Sequence, residues 1–358
     1  MVQSLYDILL KCVNVYTAVQ YSKKIKGRGF VMSTKQKIVT SNGTIRTKKR
    51  KIDASDIQLY SLCAIPILLV FIFNYIPMFG VILAFKRYNF AKGILGSPWV
   101  GFRNFEFFFK SDVFWELIRN TVGNNLLFII FGMASAIIVA ILLFEVKSRN
   151  VTKVFQTILI TPHFMSWVIV AYMVLAILNQ NAGFLNQILK SFGIFGADGK
   201  PIDWYSKPNA WPIILTIVFI WKHVGMDSVI YYASLMGVDS SLFEAAEVDG
   251  ANKFQRTIHI VIPSLVPLIV ILGIMKIGGI FAADFGLFYN VTQDGASGNL
   301  YSTTNVLSTY TFRAFKDGTG DSYGQASAIG LLQSLVGMLL VIGTNALSKK
   351  IDGDLGLF

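Results

Sequence analysis

The sequence predicts an all-α integral membrane protein with six transmembrane helices, on three observations. Of its 358 residues, 54% are apolar and 15% are charged, against about 45–50% and about 25% in soluble domains. The mean hydropathy is +0.56. The apolar residues also form unbroken blocks of the roughly 20 residues that a helix needs to cross a bilayer. This composition argues against a soluble enzyme and excludes disordered or collagen-like chains. The two cysteines cannot form a disulfide framework.

The six predicted spans follow from these blocks. Four blocks contain no Asp, Glu, Lys or Arg, namely 59–85, 120–144, 154–178 and 326–348. The other two spans are 210–236, which contains Lys222, His223 and Asp227, and 264–287, which contains Lys276 and Asp284.

Basic residues predict the orientation of the chain. Twelve of the 32 Lys and Arg residues precede residue 58, and such clusters remain on the cytoplasmic side. We therefore expect a basic cytoplasmic tail over 1–57, a six-span membrane domain over 58–350 and a cytoplasmic tail over 351–358. No removable signal peptide is predicted. The basic cluster lies directly before a span, which favours anionic lipid headgroups over nucleic acid as its partner.

The loop over 237–263 carries the most informative pattern. Ser240 or Ser241 is predicted to cap a short helix, and the glycine at position 250 permits a sharp turn. A second short helix then follows, and Pro263 is predicted to force a new direction. A connector of this kind, with small residues on one face, suits insertion into a groove of a partner protein.

The order of residues in this loop resembles a known family signature. Glu244-Ala245-Ala246, Gly250, Ile260, Ile262 and Pro263 are spaced as in the inner-membrane permeases of binding-protein-dependent ABC importers, with Ile262 where Leu is usual. Asp249 and Ala251 extend the pattern to the Asp-Gly-Ala of sugar permeases. Asn120-Thr121 resembles the start of the family's permease domain. Two other short stretches resemble the polysaccharide subgroup, namely Pro162-His163-Phe164 and Trp221-Lys222 with Gly225.

This resemblance implies the type I ABC importer permease fold and a transport role for oligosaccharides or polysaccharide fragments in a bacterial cell membrane. It implies a second homologous permease, two copies of a cytoplasmic ATPase and an extracytoplasmic solute-binding protein as partners. ATP and Mg²⁺ would be bound by the ATPase, so this chain would bind no cofactor or metal and carry no catalytic residue. The implied ATPase-coupling residues are Glu244, Ala245, Ala246, Asp249, Gly250, Ala251, Phe254 and Pro263.

The absence of enzyme motifs agrees with that role. The sequence contains no G-x-x-x-x-G-K-[ST], H-E-x-x-H or C-x-x-C pattern, and only three histidines. It therefore has no recognisable phosphate loop or zinc site.

Polar residues inside the predicted spans are the candidates for the substrate path. A charge in the middle of a bilayer costs about 2.5–3.5 kcal/mol, so it usually faces a cavity or a partner. One interpretation places these residues along the path. The other pairs Lys222 with Asp284, or Lys276 with Asp227, merely to lock the helices together. The candidates are Trp221, Lys222, His223, Asp227, Tyr231, Lys276 and Asp284.

Three alternatives remain open at this point. An ABC permease for a non-sugar solute would share the loop signature. A transporter driven by an ion gradient would use Lys222, Asp227 and Asp284 to carry protons, and its uptake would survive ATP depletion. A membrane-embedded enzyme with Asp227 and His223 as acid and base would turn over substrate without any nucleotide-binding partner.

Overall fold

A computed structural model describes residues 35–39, 45–49, 54–111, 113–194, 200–295 and 298–351. Most of the predicted tail over 1–57, and nearly all of the tail over 351–358, lie outside the described residues. The contacts divide the chain into two units, Met1–Val81 and Ile82–Phe358.

The first unit contains a hairpin and most of the first span. Strands Lys35–Val39 (β1) and Ile45–Lys49 (β2) pair antiparallel, in a segment for which only a basic tail is predicted. The helix Ala54–Val70 continues through a π turn, Phe71–Tyr75, and a short helix, Ile76–Met78, into a 3-10 turn, Phe79–Phe85. The apolar stretch Tyr60–Phe85 agrees with the predicted first span.

The second unit holds the remaining spans. Four helices are long and apolar enough to cross a membrane, namely Val113–Phe144, Pro208–Leu235, Lys253–Gly278 and Gly320–Lys350. With Tyr60–Phe85 they make five in the part of the chain that the structure describes. A bent pair, Arg149–Phe164 with Trp167–Leu178, makes the sixth when it is counted as one span. The helical architecture with six membrane spans is thereby confirmed, and the hairpin of β1 and β2 is an addition to the predicted all-α fold.

The predicted third span is not one straight helix, because its two halves meet at 98°. The helix Arg149–Ile160 tightens into a 3-10 turn, Thr161–Phe164, which contains Pro162. Ser166 then caps the next helix by accepting a hydrogen bond from the backbone N–H of Ile169 at 3.4 Å. Proline and a new N-cap together end one helix and begin another.

The predicted fifth span begins and ends earlier than expected. The helix runs from Lys253 to Gly278, followed by non-helical backbone and a π turn over Leu287–Val291. The prediction that Pro263 redirects the chain is wrong, since Pro263 lies inside this helix. The preceding turn, Thr257–Val261, is π-helical, and the N–H of Ile262 bonds to the carbonyl of Thr257. The wider turn accommodates a proline without ending the helix.

The packed core lies between the second and fourth spans. The rings of Phe128 and Phe219 stack with centroids 4.6 Å apart, and buried Trp211, Leu215 and Phe288 extend the same cluster. The shorter helices at the ends of the spans are Gly93–Gly96, Arg103–Lys110, Phe184–Ser191, Trp204–Ser206, Pro208–Ala210, Ser240–Val248, Lys253–Arg256, Tyr301–Thr304 and Leu307–Asp317.

Candidate functional site

The 237–263 loop contains the predicted short helix, which spans Ser240–Val248. Its cap is Asp239 rather than Ser240 or Ser241, since the Asp239 carboxylate accepts the N–H of Ser241 at 2.9 Å. This hydrogen bond favours the ionised form and lowers the pKa of Asp239. Asp is as good a cap as Ser, and its charge also suits the positive end of the helix.

The turn after this helix depends on glycine. Gly250 has φ of +74°, a conformation that residues with a Cβ rarely adopt. The second helix starts with a capping box, in which Asn252 and Gln255 each accept the other's backbone N–H at 2.8–2.9 Å. The predicted order of helix, glycine turn and helix is therefore present.

Two ion pairs and a ring contact hold the loop in place. Arg256 Nη1 lies 3.8 Å from Glu247 Oε2 and thus joins the two helices. Lys253 Nζ lies 3.5 Å from Glu145 Oε2, just after the second span. The ring of Phe243 packs against that of Phe144, with centroids 5.6 Å apart. The loop is consequently attached to the bundle on one side.

The other side of the loop is open, and most of the predicted coupling residues lie there. Glu244, Ala245, Asp249 and Gly250 are exposed, Ala246 and Ala251 are half-buried, and Pro263 is exposed on the helix that follows. Phe254 is 72% exposed and Val248 is 88% exposed. The sequence pattern does not single out Val248. Large exposed apolar side chains beside polar ones suit a protein-binding surface.

Lys222 lies at the break in the third span. Its side chain is only 5% exposed, and Nζ donates to the carbonyls of Pro162 at 3.3 Å, His163 at 2.9 Å and Met165. These carbonyls cluster where the helical ladder is interrupted, and backbone groups inside a membrane must be satisfied by the protein itself. The ammonium also lies 5.0 Å from the ring of Trp167.

The break in the fifth span meets the break in the third. The indole Nε1 of Trp167 donates to Asp284 Oδ2 at 3.0 Å, while Asp284 Oδ1 accepts the N–H of Leu287 at 3.2 Å and so caps the turn that follows. A Cβ on Gly286 would lie 2.1 Å from Trp167 Cδ1. We call the region formed by both breaks the broken-helix centre, residues 161–167 and 279–287 with Lys222.

Amides from two other spans complete the broken-helix centre. Asn125 Nδ2 donates to the carbonyl of Ile280 at 2.8 Å, and Gln333 Nε2 donates to that of Phe281 at 2.7 Å. Sequence reasoning missed both residues, because an amide in an apolar helix does not reveal which distant carbonyl it serves.

The other path candidates fall into different environments. Lys276 Nζ pairs with Asp227 Oδ2 at 3.0 Å, which is one of the two helix-locking pairs predicted. His223 packs beside His163, with centroids 5.3 Å apart, and Tyr231 is buried. Trp221 is exposed. In this conformation Lys222 and Tyr231 are inaccessible to a solute.

A resident metal site does not form among these residues. In the described part of the chain no three His, Cys, Asp or Glu side chains come close enough to hold a metal ion.

A comparison with protein families decides the identity of this fold. Residues 128–353 match the family described as binding-protein-dependent transport system inner membrane component. The chain belongs to this family. As such a permease it is a multi-pass protein of the inner membrane, and the predicted resemblance is confirmed.

Curated relatives of the permease cover most of its length. It is 34% identical to protein LplB of Bacillus subtilis over 85% of this chain and 92% of the relative. It is 32% identical to the polygalacturonan/rhamnogalacturonan transport system permease YteP of the same species, over 80% and 86%. It is 27% identical to the lactose transport system permease LacF of Rhizobium radiobacter, over 66% and 80%.

Solved structures share the permease fold. A chain of a bacterial ABC transporter that imports the acidic polysaccharide alginate superposes with a TM-score of 0.72 at 32% identity, covering 83% of this chain and 97% of that chain. The same transporter in complex with its alginate pentasaccharide-bound periplasmic protein matches with the same TM-score and identity, over 83% and 96%. The type I ABC permease fold is thereby confirmed.

We predict that the pair of Lys276 and Asp227 locks the fourth and fifth spans of the permease. Replacing Asp227 by Asn leaves a partly buried ammonium unpaired and should cost about 2–3 kcal/mol. Replacing both residues, as Asp227→Leu with Lys276→Met, should restore thermal stability because no buried charge remains. The melting temperature of the purified transporter measures both effects. A double variant as unstable as the single one contradicts a purely structural pair.

Proposed function

We propose that this chain forms half of the translocation path of an ATP-driven importer of oligosaccharides or polysaccharide fragments. The other half is a second, homologous permease, and two copies of a cytoplasmic ATPase drive the pair. An extracytoplasmic solute-binding protein delivers the sugar. The observation that supports this proposal most strongly is the exposed loop, a helix, a turn at Gly250 and a second helix, in a chain of this family.

The names of the relatives support a carbohydrate substrate. The relatives named above include a permease for polygalacturonan and rhamnogalacturonan and one for lactose, and the structural neighbour imports an acidic polysaccharide. We therefore propose fragments containing uronic acids as the first substrates to assay, beside a neutral oligosaccharide of the same length.

The loop is the proposed contact with the ATPase. Phe254 and Val248 supply apolar area, Glu244 and Asp249 supply negative charge, and Ala245 with Gly250 permits close approach of the partner. This role places the loop, and both chain termini, in the cytoplasm. Motion of the ATPases on binding ATP would then be transmitted through the ion pair of Arg256 and Glu247 to the fifth span.

We predict that Glu244→Lys uncouples transport from ATP hydrolysis. A reversed charge in the centre of the proposed interface should lower sugar uptake by about tenfold or more, since placing like charges together costs a few kcal/mol. Uptake and sugar-stimulated ATP hydrolysis are measured on the complete transporter in proteoliposomes. The matched control is Asp317→Lys, which reverses the charge of an exposed residue at the end of the helix Leu307–Asp317. This control should leave both sugar uptake and ATP hydrolysis unchanged. Normal coupling in Glu244→Lys contradicts this interface.

The same proteoliposomes test the transport mechanism. We expect uptake that requires ATP inside, requires the binding protein outside and persists when an uncoupler removes ion gradients. Uptake that survives without ATP and collapses with the uncoupler identifies an ion-coupled transporter. ATP-dependent uptake of a non-sugar solute, with none of any oligosaccharide, overturns the substrate class alone.

A further inference from the structure

A strongly basic hairpin precedes the first membrane-spanning helix. Its strands are β1 and β2, in which Lys35 lies opposite Lys49, Gln36 opposite Lys48 and Ile38 opposite Arg46. The segment 35–51 contains seven Lys and Arg residues, no Asp or Glu and no aromatic residue. No basic position of these strands therefore faces an acidic one across the ladder.

This register makes the hairpin unfavourable in isolation. Directly opposed residues of an antiparallel pair have Cα atoms about 4.5–5.5 Å apart, and like charges opposed in this way destabilise the pair. A hairpin of only two strands is in any case marginally stable in water. An anionic surface against these strands would reduce the repulsion and stabilise the hairpin.

The chain keeps the hairpin within reach of a membrane surface. Four residues separate Lys49 from the start of the helix at Ala54, so at most about 18 Å of extended chain joins them. The apolar stretch of that helix begins at Tyr60, about 9 Å further along a helix. Electrostatic attraction to headgroups acts over about 8 Å at physiological ionic strength, and the tether is long enough for the strands to enter this layer.

We propose that the paired strands β1 and β2 dock on the headgroups of anionic phospholipids. The tether and the absence of acidic residues favour this partner. Nucleic acid is disfavoured because single-strand recognition uses aromatic side chains for stacking, and this segment has none. The docking does not depend on the proposed transport function.

Hydrogen exchange of the full chain tests this proposal. The protein is reconstituted in vesicles of phosphatidylcholine alone or mixed with phosphatidylglycerol, and exchange of the amides of 35–49 is followed. We expect exchange at least about tenfold slower with phosphatidylglycerol, because each basic residue near an anionic surface adds to binding. High salt should abolish the difference. Equal exchange in both lipids overturns the proposal. So does RNA that, when added to phosphatidylcholine vesicles, slows exchange as much as phosphatidylglycerol does.

A charge-matched pair of variants sharpens the test. Lys35→Gln with Lys49→Gln removes the opposed charges, so exchange in phosphatidylcholine should slow while the difference between the two lipids shrinks. Lys23→Gln with Lys24→Gln removes the same charge outside the hairpin and should keep the full difference. If the Lys23 and Lys24 variant loses the difference between the two lipids while the hairpin variant keeps it, another part of the tail binds the lipid. That result overturns the proposal.

Discussion

Replacing Gly225 by valine will prevent the permease from reaching its folded, assembled state. A Cβ at this position would lie 1.9 Å from the carbonyl oxygen of Leu159 and 2.2 Å from its carbonyl carbon. Both obstructing atoms belong to the backbone of a neighbouring helix, so no side-chain rotation relieves the overlap. Overpacking usually costs about 1–3 kcal/mol, and we expect Gly225→Val to reach or exceed the upper end. The amount of chain in the membrane and its thermal stability measure the effect.

The matched control for this prediction is another glycine in a membrane helix. Gly330 lies in the sixth span, and a Cβ there would meet nothing within 4 Å. Gly330→Ala should leave assembly intact and can stabilise the helix by up to about 1 kcal/mol. If Gly225→Val assembles as well as Gly330→Ala, the fourth span does not approach the third as closely as the structure places it.

Gly225 shows what the sequence could reveal about this fold. Its position three residues after Lys222 forms part of a stretch that resembles sugar permeases, so its importance was visible. The physical reason for a glycine at this position was not visible, because the backbone of Leu159 approaches Gly225 only when the third span bends. The long uncharged blocks, by contrast, located the first, second and sixth spans well, since hydropathy alone determines which segments partition into lipid.

The broken spans mark the limit of sequence reasoning. The predicted fifth span included Asp284 because its neighbours are apolar, yet this carboxylate caps a turn beyond the end of the helix. The same span omitted 253–263, because this stretch was predicted as a separate short helix that ends at Pro263, whereas it is continuous with the fifth span. The 237–263 loop was predicted better, because the conformation of Gly250 is a local property of the chain.

Replacing Lys222 by methionine will destabilise the break in the third span, and this is the second large effect that we expect. Methionine keeps the length of the side chain but removes the ammonium donor from three carbonyls, of which that of Pro162 keeps the backbone N–H of Met165 as a donor. An unsatisfied buried acceptor costs about 1–3 kcal/mol. Removing the ammonium also removes the cost of burying it, so we expect a net loss of roughly 2–3 kcal/mol. Assembly and uptake should fall together, as measured by recovery of the complex and by sugar transport in the same vesicles.

Two further variants separate a structural role of Lys222 from a role in binding sugar. Lys222→Gln retains donors without the charge and should recover assembly in part. The double variant Asp227→Leu with Lys276→Met removes a cation elsewhere in the bundle without leaving its partner unpaired, and it should leave assembly intact. If Lys222→Met assembles normally but loses uptake of acidic oligosaccharides while keeping that of neutral ones, the ammonium contacts substrate in another conformation. Normal uptake in that variant removes Lys222 from the path altogether. The ammonium of Lys222 already donates to three carbonyls. A carboxylate of the substrate could therefore bind this ammonium only if those hydrogen bonds are broken.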